Sequence, residues 1–192
     1  MKPDTILKLP SFLIAGAAKS GTTSLSRYLG DHPRIHMPPR EMNYFAFNGE
    51  DRDYKMTHDK LITEKDQYES YYRFPVSRAP CITGEKSVSY LYREWCDRVI
   101  SNIHRLHPLG RKLKIIMILR QPADRMYSQY LFNTRVNERL TFIQAIKSWV
   151  SRKERNWVPA YDYIGAGFYA VPVRSFLDHF DDVKIFLFED LR

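Results

Sequence analysis

An α/β fold, three layers deep with a mostly parallel central sheet, is what this 192-residue chain predicts, and three observations carry it. Residues 12–15 are an apolar run that leads into a loop of small residues, 16–21, and then into a helical pattern over 22–29. Residues 113–119 form a second, stronger apolar run; Arg120 ends it, and Pro122 suits the first turn of a following helix. Further helical stretches alternate with the later apolar runs, the order expected of strands laid parallel.

The first loop reads as an anion cradle. A strand, a tight glycine loop and a helix N-terminus aim unpaired N–H groups and the helix dipole at one spot. Gly16 and Gly21 have the spacing of the Walker pattern, so the fold is P-loop-like, yet Thr22 stands at the Walker lysine position and Lys19 lies inside the loop. Lys19-Ser-Gly-Thr-Thr-Ser-Leu25 closely resembles the 5′-phosphosulfate loop of sulfotransferases that use 3′-phosphoadenosine 5′-phosphosulfate (PAPS). That resemblance implies that Lys19, Ser20, Gly21, Thr22, Thr23 and Ser24 hold the donor, with Lys19 also stabilising charge on the departing phosphate.

Gly30 and Pro33 end the first helix, and residues 34–37 read as a short strand; His32 and His36 read as structural or surface residues. Pro39-Arg-Glu-Met-Asn-Tyr-Phe45 puts one carboxylate between a proline and an aromatic pair, a setting suited to a cleft rim. It resembles the K-E-x-x-[FY]-F segment of heparan-sulfate-type sulfotransferases and their bacterial relatives, which implies Glu41 as general base, with Arg40 in place of lysine. Residues 46–80 read as a polar, partly helical insertion lining the acceptor side, with helical hints at 55–62 and 66–72. A strand over 81–85 then leads into residues 84–90, which match the family's G-E-K-[ST]-x-x-Y; the resemblance implies that Lys86 reaches the sulfonate or the acceptor. An exposed lysine past a strand is the other reading of that residue.

Trp95, Val99, Ile103 and Leu106 repeat at helical spacing, so residues 94–107 predict an amphipathic helix whose stripe is core, with His104 and His107 on its solvent side or end. Arg120-Gln-Pro-Ala-Asp-Arg-Met-Tyr-Ser128 resembles the family's L-R-x-P-x-x-R-x-x-S, which implies that Arg120 and Ser128 bind the 3′-phosphate of the donor. Residues 142–150 predict another helix, capped by Thr141, with Trp149 in packing. A glycine turn at 163–169, a segment to Phe180 and a last strand at 183–188 close the chain. The family continues into a further helix and a basic loop, so one sulfotransferase-like domain spanning 1–192, incomplete at its C-terminus, is the expectation.

Composition agrees with a globular chain: 44% hydrophobic and 27% charged residues, in a length suited to one domain. Thirty Lys and Arg against 22 Asp and Glu give a net charge of +8, which favours anionic ligands and mildly favours an anionic sugar polymer as acceptor. No apolar run approaches a membrane span and the first residues lack a signal peptide's apolar core, so a cytoplasmic location without membrane or nucleic-acid partners is predicted. Cys81 and Cys96 read as reduced thiols. The leading function is transfer of a sulfonate from PAPS to a hydroxyl or amine of a small molecule or glycan, without a metal and with 3′-phosphoadenosine 5′-phosphate (PAP) as the product. Two rivals remain: a P-loop kinase, supported by Glu189-Asp190 after an apolar strand, and a polyanion-binding module, supported by the charge alone.

Overall fold

The computed structural model describes residues 4–49 and 61–191. In chain order the elements are β1 (Thr5–Leu7), β2 (Phe12–Gly16), α1 (Thr22–Gly30), β3 (Ile35–His36), α2 (Tyr44–Phe47), α3 (Lys65–Ser70), β4 (Arg73–Pro75) and β5 (Ile82–Lys86). There follow α4 (Cys96–Leu106), β6 (Lys114–Leu119), α5 (Pro122–Thr134), α6 (Phe142–Lys147), α7 (Trp149–Glu154), α8 (Ala170–His179) and β7 (Val183–Leu187).

Five strands form one parallel sheet in the order β3-β5-β2-β6-β7. Every residue of β2 is buried, as its unbroken apolar sequence requires of a central strand. The chain leaves β2 through α1 toward β3 on one side, whereas β5 through α4 to β6, and β6 through α8 to β7, step the other way. Right-handed crossovers therefore put α1 on one face and α4 with α8 on the other, where those two helices pack together. Three layers result. The direction of travel reverses between β2 and β6, and the crevice beyond the carboxyl ends of strands at such a reversal is where open α/β sheets bind ligands.

Local chemistry explains the main elements. Gln121 Oε1 accepts the Asp124 N–H at 2.9 Å to open α5, with Pro122 in the first turn. The α4 stripe is core as expected, with Val99 and Ile103 fully buried. Several expectations need correction. The helix over 142–150 is broken at Ser148 into α6 and α7, and Trp149 is 41% exposed instead of packed. His107 is at the end of α4, one of the two places expected for it, and is buried there, where Nδ1 accepts the Leu109 N–H. The stretch 46–80 contributes α3 and also β4, which pairs antiparallel with β1 in a separate two-stranded sheet. Of the helical hint at 55–62, residues 55–60 lie outside the described residues, and 61–62 are not helical.

One buried carboxylate joins the sheet to the loops above it. Glu85 on β5 is fully buried and accepts from Tyr68 Oη at 2.7 Å, Ser87 Oγ at 2.8 Å and the Tyr90 hydroxyl. Burial pushes its carboxyl up, and the three hydroxyl donors pull it back. Glu85→Ala leaves three buried hydroxyls without their acceptor, and a loss on the order of 3 kcal/mol in urea denaturation is expected; a loss below about 1 kcal/mol would show that they re-pair without it.

His107 supplies a pH signature. Burial pushes its imidazole down to about 4, from an ordinary 6.5. The unfolded chain takes up this proton near 6.5 and the folded chain only near 4, so the contribution is intact above 6.5 and is lost as pH falls. The loss by pH 4 is about 3 kcal/mol. Glu85, shifted upward, works in the opposite sense, so comparison with His107→Gln isolates the histidine. Urea midpoints measured from pH 7 to 4 should fall more steeply for the native chain than for His107→Gln; equal slopes would refute the assignment.

Candidate active site

The loops that follow β2 and β6 meet above the sheet at its reversal point. There, a cavity of about 700 Å³ is lined by Lys19, Gly21, Thr22 and Thr23 from the first loop and helix, by Arg120 after β6, and by Glu41. Lys19 and Gly21 both have left-handed backbone, with φ of 65° and 85°. A side chain at Gly21 would be strained by that φ, and its Cβ would meet the Phe188 ring at 3.2 Å, so the turn requires glycine. The first intrahelical hydrogen bond of α1 runs from Leu25 N–H to Gly21 O at 3.1 Å. The N–H groups of residues 22–24 precede it and are the ordinary unpaired donors of a helix start.

Electrostatics around this loop favour an anion. Lys19 Nζ lies 4.3 Å from the centre of the Phe132 ring, and Arg120 Cζ 4.6 Å from that of Phe188. Burial, then the charges of Arg135 and Arg120, push the Lys19 ammonium below its ordinary range. Arg120 Nη1 donates to Lys19 O at 3.2 Å, while its buried Nε has no hydrogen-bond partner among the described residues. Clustered cations, an unsatisfied guanidinium donor and a helix start fit a phosphorylated ligand.

Glu41 reaches the same place from the opposite wall. Lys86 Nζ, at the end of β5, is 3.1 Å from Glu41 Oε1 and donates to Thr23 Oγ1 at 3.3 Å, so one ammonium spans the carboxylate and the loop helix. The Glu41 segment is held two residues on by Asn43, whose backbone is left-handed at φ 52°. Asn43 N–H donates to Ser87 Oγ at 2.9 Å, and Ser89 Oγ donates to Asn43 Oδ1 at 2.6 Å. Phe45 N–H donates to Tyr90 Oη at 3.2 Å. Through Ser87 and Tyr90 these contacts end on Glu85, so the buried carboxylate fixes the Glu41 loop.

Six of the residues singled out in the sequence line the cavity, Lys19, Gly21, Thr22, Thr23, Glu41 and Arg120, and Lys86 is joined to them. Like Lys86, three others are not in its lining. Ser20 is buried beside Tyr169, whose hydroxyl donates to Arg120 O at 3.1 Å. Ser24 is exposed in the first turn of α1. Ser128 is half-buried on α5, one turn before Phe132, which does line the cavity. Sequence reasoning missed Asn43, Phe47, Tyr92 and Phe188 as lining residues. Trp95, buried in the core as expected, also borders the cavity just before α4. An asparagine within the Glu41 motif, a residue type that tolerates left-handed backbone, is the signal the sequence offered for Asn43.

Among the described residues no group of three or more His, Cys, Asp or Glu is placed to hold a metal ion, and no helix is long and apolar enough to cross a membrane. Cys81 and Cys96 are free thiols. A sequence model described as the sulfotransferase family matches residues 10–178. The chain is 27% identical over 196 residues to the bifunctional heparan sulfate N-deacetylase/N-sulfotransferase 1 of Xenopus laevis, covering 98% of this chain and 21% of that protein. It is 32% identical over 135 residues to the human bifunctional heparan sulfate N-deacetylase/N-sulfotransferase 3, covering 67% of this chain and 14% of that one. The chain thus spans about a fifth or less of these curated relatives. A crystal structure of a sulfotransferase from Alicyclobacillus acidocaldarius superposes with a TM-score of 0.84 at 31% identity, covering 96% of this chain and 75% of that one. With the loop, the two flanking strand ends and the opposed Glu41 in place, the chain belongs to the sulfotransferase family.

Proposed function

We propose that the chain transfers a sulfonate group from PAPS to a hydroxyl or amine by in-line displacement. The observation that carries this reading is the contact chain Glu41–Lys86–Thr23, which sets a carboxylate across one cavity from an anion cradle. PAPS supplies the sulfonate and a phosphate leaving group that departs as PAP.

The chain's own residues divide the remaining work. Thr22, Thr23 and the N–H groups at the start of α1 hold the 5′-phosphate, with Ser20, Gly21 and Ser24 shaping that turn. Lys19 leaves its resting place over Phe132 and offsets charge developing on the bridging oxygen. Arg120 turns its unsatisfied Nε to the 3′-phosphate, and Ser128, on the next helix, adds a hydroxyl. Glu41 takes the acceptor proton, and Lys86 orients that carboxylate and meets the sulfonate oxygens. A new S–O or S–N bond forms to the acceptor as the S–O bond to the phosphate breaks, its electron pair leaving with the phosphate.

The kinase reading has little to stand on. β7, which leads to Glu189 and Asp190, is separated from the loop strand β2 by β6, and Glu189 Oε1 accepts the Gln121 N–H at 3.1 Å.

Isothermal titration without magnesium tests the donor. PAP should bind more tightly than ADP, and Arg120→Ala should weaken PAP by roughly 10- to 100-fold, the worth of a charge-assisted contact, with little change for ADP. Equal binding of ADP, or binding that requires magnesium, would favour the kinase instead. Turnover tests the base: Glu41→Gln should lower kcat by about 10² to 10⁴ while PAP affinity stays within about two-fold. A variant that keeps native kcat would remove Glu41 from the mechanism.

A further inference from the structure

We propose that the acceptor is an uncharged hydroxyl compound with an apolar, ring-sized body, a phenol being the simplest case; the proposal rests on the sulfonate-transfer reading above. Its basis is the part of the cavity lining that the donor residues leave over. Phe47, Leu61, Val88, Tyr92, Trp95 and Val158 make that wall. The aromatic members form a corner: the Phe47 and Trp95 rings are 5.0 Å apart at 68°, and those of Tyr92 and Trp95 are 5.8 Å apart at 70°. Such a surface gains by covering an apolar ring and offers edges and faces for it to pack on.

Charge points the same way. Among the described lining residues Lys19, Arg120 and Glu41 alone are charged, and both cations belong to the anion cradle. Lys86 is paired with Glu41. An acidic sugar polymer entering here would meet a carboxylate, with no cation left for its own among the described lining residues. The described lining, with Lys19 and Arg120 against Glu41, carries a formal net charge of +1.

Hydrogen bonding is equally restrictive. A sugar brings a polar group on nearly every carbon, and each one buried without a partner is unfavourable. Some polar lining atoms are already engaged: Ser89 Oγ donates to Asn43 Oδ1 at 2.6 Å, and Gln129 Nε2 donates to Asn133 Oδ1 at 3.0 Å. One hydroxyl beside Glu41, on an otherwise apolar body, matches this distribution. A phenolic hydroxyl ionises at a pH of about 10, far more readily than an aliphatic alcohol, and so asks less of a carboxylate base. In the step, Glu41 accepts the phenolic proton, the phenolic oxygen bonds to sulfur, and the bond from sulfur to the 5′-phosphate oxygen breaks with its electron pair on that phosphate.

The test begins with PAP alone, because absence of PAP binding overturns the underlying donor reading before any acceptor is added. The PAP-saturated chain is then titrated with 2-naphthol and, separately, with an unsulfated glucosamine–glucuronate hexasaccharide. Saturable one-site binding of 2-naphthol, with none of the hexasaccharide, is expected. Val88→Asp and Val158→Asp should each weaken 2-naphthol by at least about ten-fold, since each buries a charge against the ring, while PAP binding within two-fold of native shows that fold and donor site persist. PAP binding without 2-naphthol binding overturns the acceptor assignment and leaves the donor reading standing. So does one-site binding of the hexasaccharide, or 2-naphthol binding that ignores both aspartates.

Discussion

A carboxylate taken out of water without a cation beside it is stable only when hydrogen-bond donors fill its lone pairs, and Glu85 is in that position. Its donors come from separate places: Tyr68 on α3, Ser87 just past β5, and Tyr90 in the turn that follows. Ser87 and Tyr90 each use their remaining capacity on a backbone N–H of the Glu41 segment, at Asn43 and Phe45. A chain of directional bonds therefore runs from the middle of the sheet to the residues beside Glu41. Apolar packing could bury the same area but would tolerate sliding. Hydrogen bonds with fixed geometry do not, and they hold the segment from which Glu41 meets Lys86 at 3.1 Å.

The second wall rests on a similar device. Arg152 and Glu138 form a buried ion pair at 2.8 Å, and Tyr163 Oη donates to Glu138 at 2.8 Å. Asn133 Nδ2 donates to Tyr163 Oη at 3.1 Å, and Gln129, a lining residue on α5, donates to Asn133. A buried ion pair is weak evidence of net stability, since desolvation offsets most of its attraction. It is better evidence of a fixed arrangement, because each partner must be met in one geometry. Here the fixed object is α5, the helix that carries Gln129 and Phe132 into the cavity.

How much of this was legible follows from what each residue has to do. The loop at 16–21 and Arg120 could be read because backbone geometry restricts them: a left-handed turn against Phe188 demands glycine, and a strand end at the sheet's reversal delivers whatever follows it. Glu41 and Lys86 were legible through motif resemblance, and the 3.1 Å contact between them was not. Glu85 gave no signal of its role, because a buried acid and an exposed one look alike in sequence and its partners lie up to 17 residues away. The break at Ser148 was hidden for a different reason. The apolar spacing of 142–150 continues through it, and the turn is set by tertiary packing of Arg152 beneath Trp157 and Tyr161. Trp95 is core as its spacing predicts, and its place beside the cavity, at the residue before α4, was not legible from that spacing.

The sheet itself supplies the remaining dimension. β5 and β6 flank β2, so Lys86 and Arg120 leave strand ends separated by two strand spacings, on the order of 10 Å. Between them sits the glycine loop of the central strand. On the proposed donor site, a ligand would present one charged group to the loop and a second toward Arg120, with its reacting atom turned toward Lys86 and Glu41. A nucleotide phosphorylated on both sides of its ribose has that shape, and one with a linear phosphate chain would send its charge along the loop and away from Arg120. On the proposed site, discrimination between the two would begin with the spacing of parallel strands.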